Sequence, residues 1–257
     1  MHLTRPRLRQ APLRVAGQSL DEQIQQVIAR DGYEALLPAA LLVMVAFWEW
    51  TRWYDPTPRP VLLTCVALGS VGWAALKLWR ARATVGRLRL GRDGERQVAE
   101  VLERLRERGY RVFHDIQADG FNVDHLLVGP KGLFLIETKA RSKPVHGPAN
   151  VRYDGEAVTV AGARPRRNPI HQATALASWV ADLVEESSGR RCFVRPVVLF
   201  PEWFIEIAAK NPSVWVLNPK MLAGFIGREP TRLGPEDIEL IAFHVSRYVR
   251  AEVNGRS

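Results

Sequence analysis

The sequence predicts an α/β domain with a central mixed sheet flanked by helices, preceded by two apolar helices. Three observations support this prediction. Two long apolar stretches lie in the N-terminal third, and from Arg92 onward helical and strand patterns alternate. The composition, 47% hydrophobic and 25% charged, is ordinary for a folded protein.

Residues 33–80 contain the two apolar stretches, EALLPAALLVMVAFWEWTRWY and PVLLTCVALGSVGWAALKLW. A membrane-spanning helix needs about 20 largely apolar residues. The second stretch is uncharged from Pro60 to Leu76, whereas Glu49 interrupts the first near its end. Two buried helices of a soluble bundle would show polar stripes at helical spacing, which neither stretch has over most of its length. We therefore predict a transmembrane hairpin, with an aromatic belt at Trp48, Trp50, Trp53 and Tyr54.

Basic residues lie on both sides of this pair and are sparse between its members. Because cytoplasmic flanks are enriched in Lys and Arg, the pattern favours a multi-pass protein of the cell membrane with both ends in the cytoplasm. We expect a basic N-terminal segment over 1–32, two transmembrane helices over 33–80 and a linker over 81–90. The flanking residues are Arg5, Arg7, Arg9, Arg14 and Arg30 before the pair, Arg80, Arg82, Arg87 and Arg89 after it, and Arg52 and Arg59 in the loop.

Residues 91–257 show the pattern of a globular domain. A helix is predicted from about Asp93, as N-cap, to Gly109, followed by the strand YRVFHDI and a hairpin about the turn GPKG. A second hairpin about Asp154-Gly155 precedes a helix from about Pro169 to Glu186. The segments FVRPVVLF and VWVLN are predicted strands, and GPEDIELIAFHVSRYVRAEV is a predicted closing helix.

The net charge of +9 suits a polyanionic partner, either nucleic acid or an anionic membrane face. However, residues 1–90 hold 12 Lys and Arg against 6 Asp and Glu, so that only +3 remains for residues 91–257. The charge alone is therefore weak evidence for nucleic-acid binding by the globular domain. The two cysteines, Cys65 and Cys192, imply neither a disulfide framework nor a metal cluster.

Two carboxylates and a lysine stand out on the strands beside the GPKG turn. If these strands pair antiparallel about residues 129–132, Asp124 lies opposite Glu137, and Lys139 shares the face of Glu137. Like charges that face each other destabilise a sheet unless something neutralises them. A divalent cation with oxygen ligands would do so. The spacing therefore predicts a metal site at Asp124 and Glu137.

This arrangement, an aspartate followed about a dozen residues later by Glu-x-Lys, resembles the PD-(D/E)xK nuclease superfamily. The surrounding sequence closely resembles one branch, the nuclease-related domain (NERD). The matching blocks are GRDGERQVAEVL, NVDHLLVGPKGLFLIETKA and NPIHQATALASWV, over about residues 90–180. Val123 stands where the motif name has proline, as in that branch. The resemblance implies a restriction-endonuclease-like fold for residues 91–257.

The resemblance also implies a role for each matching residue. Asp124 and Glu137 match the metal-binding carboxylates, for Mg²⁺ or Mn²⁺, and Glu95 matches an acidic helix position that completes the site. Lys139 matches the lysine that orients or activates the attacking water. Gln172 matches a polar helix position that supports the site.

Each of these residues also has an ordinary structural interpretation. Glu95 would suit the first turn of a helix, Gln172 an exposed helix face, and Glu137 with Lys139 a solvated strand end. His125 should point away from the face of Asp124. Trp203 and Trp215 are expected in the core. Basic residues in the neighbouring loops would either contact phosphates or be merely solvated; these are Arg141, Lys143, Arg164, Arg166 and Arg167.

Together these observations predict a membrane-anchored, metal-dependent nuclease that hydrolyses DNA, with nucleic acid and the lipid bilayer as partners. The nucleic-acid contacts are assigned to Arg141, Lys143, Arg166 and Arg167. Two alternatives remain: a catalytically silent, membrane-tethered nucleic-acid-binding module, and a membrane scaffold that uses the fold only as structure.

Overall fold

The computed structural model describes residues 14–52, 60–144 and 146–255. The basic residues Arg5, Arg7 and Arg9, and the loop with Trp53, Tyr54 and Arg59, lie outside them. The described chain forms two compact units. Unit 1 contains residues 14–18 together with 91–255, and unit 2 contains 19–52 and 60–90.

Unit 2 is built from helix α1 (Gln18–Thr51) and the larger part of helix α2 (Pro60–Arg106). Two side-chain hydrogen bonds join its helices, one near the end of α1 and one at its middle. Trp50 Nε1 donates to Thr64 Oγ1 at 2.8 Å, and Lys77 Nζ donates to Glu34 Oε2 at 3.0 Å. Both helices are long and apolar enough to cross a membrane. Large apolar side chains on them are exposed, for example Phe47 at 70% and Trp79 at 69%.

Helix α2 continues without a break through residues 81–93. The expected N-cap at Asp93 is therefore wrong, because this residue lies inside the helix; residues 81–90, expected as a linker, are helical as well. The segment contains no proline, and each interior glycine costs a helix only about 1 kcal/mol relative to alanine. Likewise, α1 runs through the predicted boundary between residues 32 and 33.

Unit 1 contains two sheets. In the five-stranded sheet the order is β1-β2-β3-β6-β8, and in the three-stranded sheet it is β5-β4-β7. The β1-β2-β3 portion is antiparallel, whereas β6 and β8 continue the large sheet in parallel with β3. The strands are β1 (Arg111–Ala118), β2 (Phe121–Gly129), β3 (Gly132–Thr138), β4 (Asn150–Tyr153), β5 (Val158–Val160), β6 (Val194–Leu199), β7 (Phe204–Ile207) and β8 (Trp215–Leu217).

The hairpin between β2 and β3 has the predicted register. Gly129 pairs with Gly132 across a turn, and His125 pairs with Ile136. Extending this register by one residue places Asp124 opposite Glu137. Gly129 cannot be replaced without strain, since a Cβ atom there would lie 2.1 Å from Cδ1 of Tyr110.

The hairpin at Asp154-Gly155 is also present, although four residues rather than two connect β4 to β5.

Helices cover both faces of the large sheet. One face packs on α3 (Pro169–Ser188) and α5 (Pro235–Gly255), with Val180 and Ile241 in its core. The other face packs on the C-terminal part of α2 and on α4 (Pro219–Arg228), with Leu102 and Leu222 in its core. Unit 1 is thus the expected α/β domain. Strand β7 and helix α4 were not predicted.

The sheet, helix and core predictions are otherwise confirmed in this unit. Trp203 and Trp215 are buried core residues at 2% and 8% exposure. Helix α3 begins with Asn168 as N-cap, whose side chain accepts the backbone N–H of Ile170 at 3.0 Å, and with Pro169 in the first turn. This start fixes the position of Gln172, which lies one turn further along the helix.

Candidate active site

Lys139, Glu137 and Gln172 form a closed hydrogen-bonded network. Lys139 Nζ donates to Glu137 Oε1 at 2.5 Å and to Gln172 Oε1 at 3.0 Å, and Gln172 Nε2 donates to Glu137 Oε1 at 2.6 Å. The Glu137 side chain is only 5% exposed, whereas that of Lys139 is 25% exposed. Glu137 is therefore not at a solvated strand end. The network opens to solvent on the side of Lys139 and Gln172.

Asp124 and Glu95 lie in the same carboxylate cluster as Glu137. Asp124 is 7% exposed and Glu95 6% exposed. Asp124 Oδ2 accepts the backbone N–H of Thr138 at 2.7 Å, so that the side chain of β2 is held at the end of β3. Glu95 comes from the continuous helix α2, many residues from its first turn, and so the helix-start interpretation of this residue is wrong.

The electrostatics of the cluster show how closely these carboxylates interact. Burial, with added repulsion from Asp115 and Glu137, raises the pKa of Glu95 to about 7. Burial and the charges of Glu137 and Glu95 raise the pKa of Asp124 well above its usual value. Burial also raises the pKa of Glu137, against the opposing effects of Lys139 and Gln172. The metal-free site therefore favours protonated carboxyl groups.

Two oxygen atoms of this cluster have no hydrogen-bond partner, namely Oε2 of Glu95 and Oε2 of Glu137. Unpaired buried carboxylate oxygens that repel one another suit a hard divalent cation such as Mg²⁺. The donor chemistry fits such an ion. Among the described residues, however, no group of three or more His, Cys, Asp and Glu side chains is already arranged to hold one.

Asp115 is a member of the cluster that the sequence did not reveal. It is 0% exposed and lies on β1, where the β1–β2 register places it opposite Asp124. Its φ of +50° is rare for a residue with a side chain and marks a local distortion of the strand. Arg14 Nε donates to Asp115 Oδ2 at 3.0 Å, and Asn122 Nδ2 donates to Asp115 Oδ1 at 3.2 Å. No local pattern in the sequence indicates these contacts.

His125 makes a different set of contacts, away from the carboxylates. His125 Nδ1 lies 2.8 Å from His114 Nδ1, and His114 Nε2 lies 3.0 Å from Glu103 Oε1. Burial lowers the pKa values of both histidines, which keeps both rings neutral at pH 7. The expectation that His125 points away from Asp124 agrees with these partners.

The basic residues assigned to nucleic-acid binding lie in loops of unit 1. Arg141 and Lys143 follow β3, and Arg166 and Arg167 precede α3. All four side chains are exposed. They therefore lie close in sequence to Lys139 and Gln172. Their contact with a ligand stays a prediction.

Gly94 allows α2 to approach the end of β3. A Cβ atom at this position would lie 2.5 Å from Cβ of Ala140. We expect Gly94→Ala to lower the free energy of unfolding by about 1–3 kcal/mol through overpacking, and to displace the neighbouring Glu95. Gly86→Ala on the same helix is the matched control, since nothing lies within 4 Å of its Cβ position. Thermal unfolding of both variants checks this, and equal stability would contradict the close approach.

Comparison with known proteins adds one match. The family model for the nuclease-related domain matches residues 90–201, from the C-terminal part of α2 to the end of β6. Searches of curated proteins and of solved structures found no match. The matched range contains all five residues predicted for the site: Glu95, Asp124, Glu137, Lys139 and Gln172. The chain therefore carries a nuclease-related domain (NERD) over residues 90–201.

Proposed function

We propose that this protein is a metal-dependent nuclease that hydrolyses DNA phosphodiester bonds and is anchored to a membrane by α1 and α2. One observation carries the proposal. Within a nuclease-related domain, the β2–β3 register places Asp124 opposite Glu137, and Lys139 donates a hydrogen bond to Glu137. Such a carboxylate pair beside a lysine suits phosphoryl chemistry that depends on a divalent cation.

Asp124 and Glu137 would hold Mg²⁺ or Mn²⁺, and Glu95 would complete the site. The bound ion would supply charge stabilisation at the phosphate and would lower the pKa of a water molecule. The hydrogen bonds of the two carboxylates support this role. Thr138 N–H holds one oxygen of Asp124, and Lys139 with Gln172 holds one oxygen of Glu137, which leaves Glu137 Oε2 without a hydrogen-bond partner.

Lys139 orients the attacking water and stabilises negative charge that develops on the phosphate. Its ammonium group is a compact point charge, and its side chain is partly open to solvent. The Gln172 amide fixes the lysine by accepting from Nζ while donating to the same glutamate. The exposed residues Arg141, Lys143, Arg166 and Arg167 would contact the phosphates on either side of the scissile bond.

Membrane anchoring is supported by the composition and exposure of unit 2. The most apolar 18-residue windows of α1 and α2 have mean hydropathies of 1.4 and 1.8, and only 17% and 11% of these windows are buried. Helices of a soluble core would be mostly buried. The distribution of Lys and Arg supports cytoplasmic placement of both flanks.

The test uses the full chain, purified in detergent. Plasmid DNA, linear DNA and single-stranded RNA are incubated with Mg²⁺, Mn²⁺ or EDTA. We expect DNA cleavage that requires the metal and is absent from the Asp124→Ala/Glu137→Ala variant. Equal cleavage by the wild type and this variant would overturn the proposal. Salt-sensitive DNA binding that survives in the variant, without any cleavage by the wild type, would identify a silent binding module.

A further inference from the structure

The short segment 14–18, which leads into helix α1, is part of the same compact unit as the nuclease-related domain. Two of its residues are firmly packed, since Arg14 is 8% exposed and Ala16 is 2% exposed. Gly17 adopts φ +75°, and a Cβ atom there would lie 2.8 Å from Cγ of Arg92. The segment thus runs against the part of α2 that carries Glu95.

Arg14 makes a buried ion pair with Asp115. Arg14 Nε and one of its terminal nitrogens each lie 3.0 Å from Asp115 Oδ2, and the aspartate side chain is 0% exposed. Two contacts from a buried guanidinium to one carboxylate oxygen hold that oxygen in position. This contact joins residues that are 101 positions apart in the chain.

Asp115 connects this ion pair to the carboxylate cluster. It lies opposite Asp124 in the β1–β2 register, and its charge acts on Glu95. A second contact comes from the same segment, because the backbone of Gly17 hydrogen-bonds Glu95. Residues 14–17 therefore contact two carboxylates of the cluster directly, Asp115 and Glu95, and a third, Asp124, through Asp115.

The charge of Arg14 lies beside a cluster of buried carboxyl groups. Four of them, on Glu95, Asp115, Asp124 and Glu137, are less than 8% exposed. Arg14 pairs with Asp115, and Lys139 pairs with Glu137. Removing Arg14 would take a buried positive charge away from these groups, which is unfavourable.

We propose that Arg14 is a positioning residue of the nuclease site: its ion pair with Asp115 fixes β1 beside Asp124, and its segment fixes Glu95. This inference rests on the proposed function, since it concerns the same carboxylates. It assigns a role in the site to residues that precede the apolar helices and lie outside the matched range 90–201.

The experiment measures Mn²⁺ binding by calorimetry without DNA, on the full chain in detergent, and then the metal dependence of cleavage. Hydrogen bonds and ion pairs from neighbouring residues to metal ligands typically contribute about 10- to 100-fold to metal affinity. We therefore expect Arg14→Gln to raise the Kd for Mn²⁺ by about 10-fold or more, and to raise the metal concentration for half-maximal cleavage in parallel. The double variant Arg14→Gln/Asp115→Asn removes both charges and should regain most of the affinity.

Arg190→Gln is the matched control, because Arg190 pairs with Asp237 at 3.1 Å on the surface of the same unit. If Arg14→Gln does not fold, Arg14→Lys carries the comparison, because it keeps the charge but cannot place two nitrogens on Asp115 Oδ2 as the guanidinium does. An Mn²⁺ affinity of Arg14→Gln, or of Arg14→Lys in that case, equal to that of Arg190→Gln or tighter would overturn the inference alone. Absence of Mn²⁺ binding and of cleavage in the wild type would overturn the proposed function as well.

Discussion

Replacing Asp124 with asparagine is expected to lower metal-dependent DNA cleavage by about 1000-fold, while the metal-free protein becomes more stable. Cleavage falls because charge stabilisation by a bound metal contributes several kcal/mol to phosphodiester hydrolysis, and each 1.4 kcal/mol corresponds to a factor of ten in rate. The stability of the metal-free protein rises because Asp124 is buried among carboxylates that repel its ionised form. Asparagine removes the charge, and its amide oxygen can still accept the Thr138 N–H.

Two measurements separate these effects. Cleavage rates at saturating Mg²⁺ give the catalytic loss, and thermal unfolding in EDTA at pH 8 gives the change in stability. Asp182→Asn, an exposed substitution of the same kind on α3, serves as the control. A destabilised Asp124→Asn protein in EDTA would contradict the mutual repulsion. Wild-type cleavage by that variant would contradict the assignment of Asp124 to the site.

The metal-free protein is expected to lose stability as the pH rises from about 4.5 to about 7, because of Glu95. Its pKa is raised from 4.5 to about 7 in the folded protein, so that folding favours the protonated carboxyl group. The stabilising contribution is complete below pH 4.5 and disappears as the pH passes 7. A shift of this size corresponds to roughly 3 kcal/mol. The expected fall in Tm is therefore roughly 10 °C.

Unfolding is followed from pH 4.5 to 8 in EDTA and again with Mn²⁺, for the wild type and for Glu95→Gln. The difference in Tm between the two proteins in EDTA isolates the contribution of Glu95 from that of other titrating groups. We expect this difference in Tm to grow with pH and to shrink when Mn²⁺ is present, since a cation compensates the ionised carboxylate. A difference that does not change with pH would show that Glu95 ionises freely in the folded protein.

The hairpin that carries Asp124 and Glu137 could be predicted from the sequence because its information is local. A turn at GPKG and a side-chain period of two are sufficient to place the two carboxylates opposite each other, and the observed pairing of His125 with Ile136 has that register. Gln172 was also placed by local signals, since Asn168 and Pro169 fix the start of its helix.

The part of the site around Asp115 could not be predicted in this way. Its partner Arg14 is 101 residues distant, and a basic segment before an apolar stretch has an ordinary explanation in the positive-inside rule. The continuity of helix α2 was not predicted for a related reason. Its two halves have different compositions and an N-cap was predicted at Asp93, although every residue between the halves is compatible with a helix.

If α1 and α2 cross a membrane as proposed, the Arg14–Asp115 ion pair also limits the topology that the chain can adopt. Residues on both sides of unit 2 are built into one folded body, which must lie in a single aqueous compartment. The chain between these two parts can leave that compartment only if it also returns to it. The number of times that it crosses the membrane must therefore be even. Two helices satisfy this condition and one does not, independently of any charge rule. Fusing a reporter to the C-terminus and tagging the N-terminus should therefore give the same sidedness in intact cells.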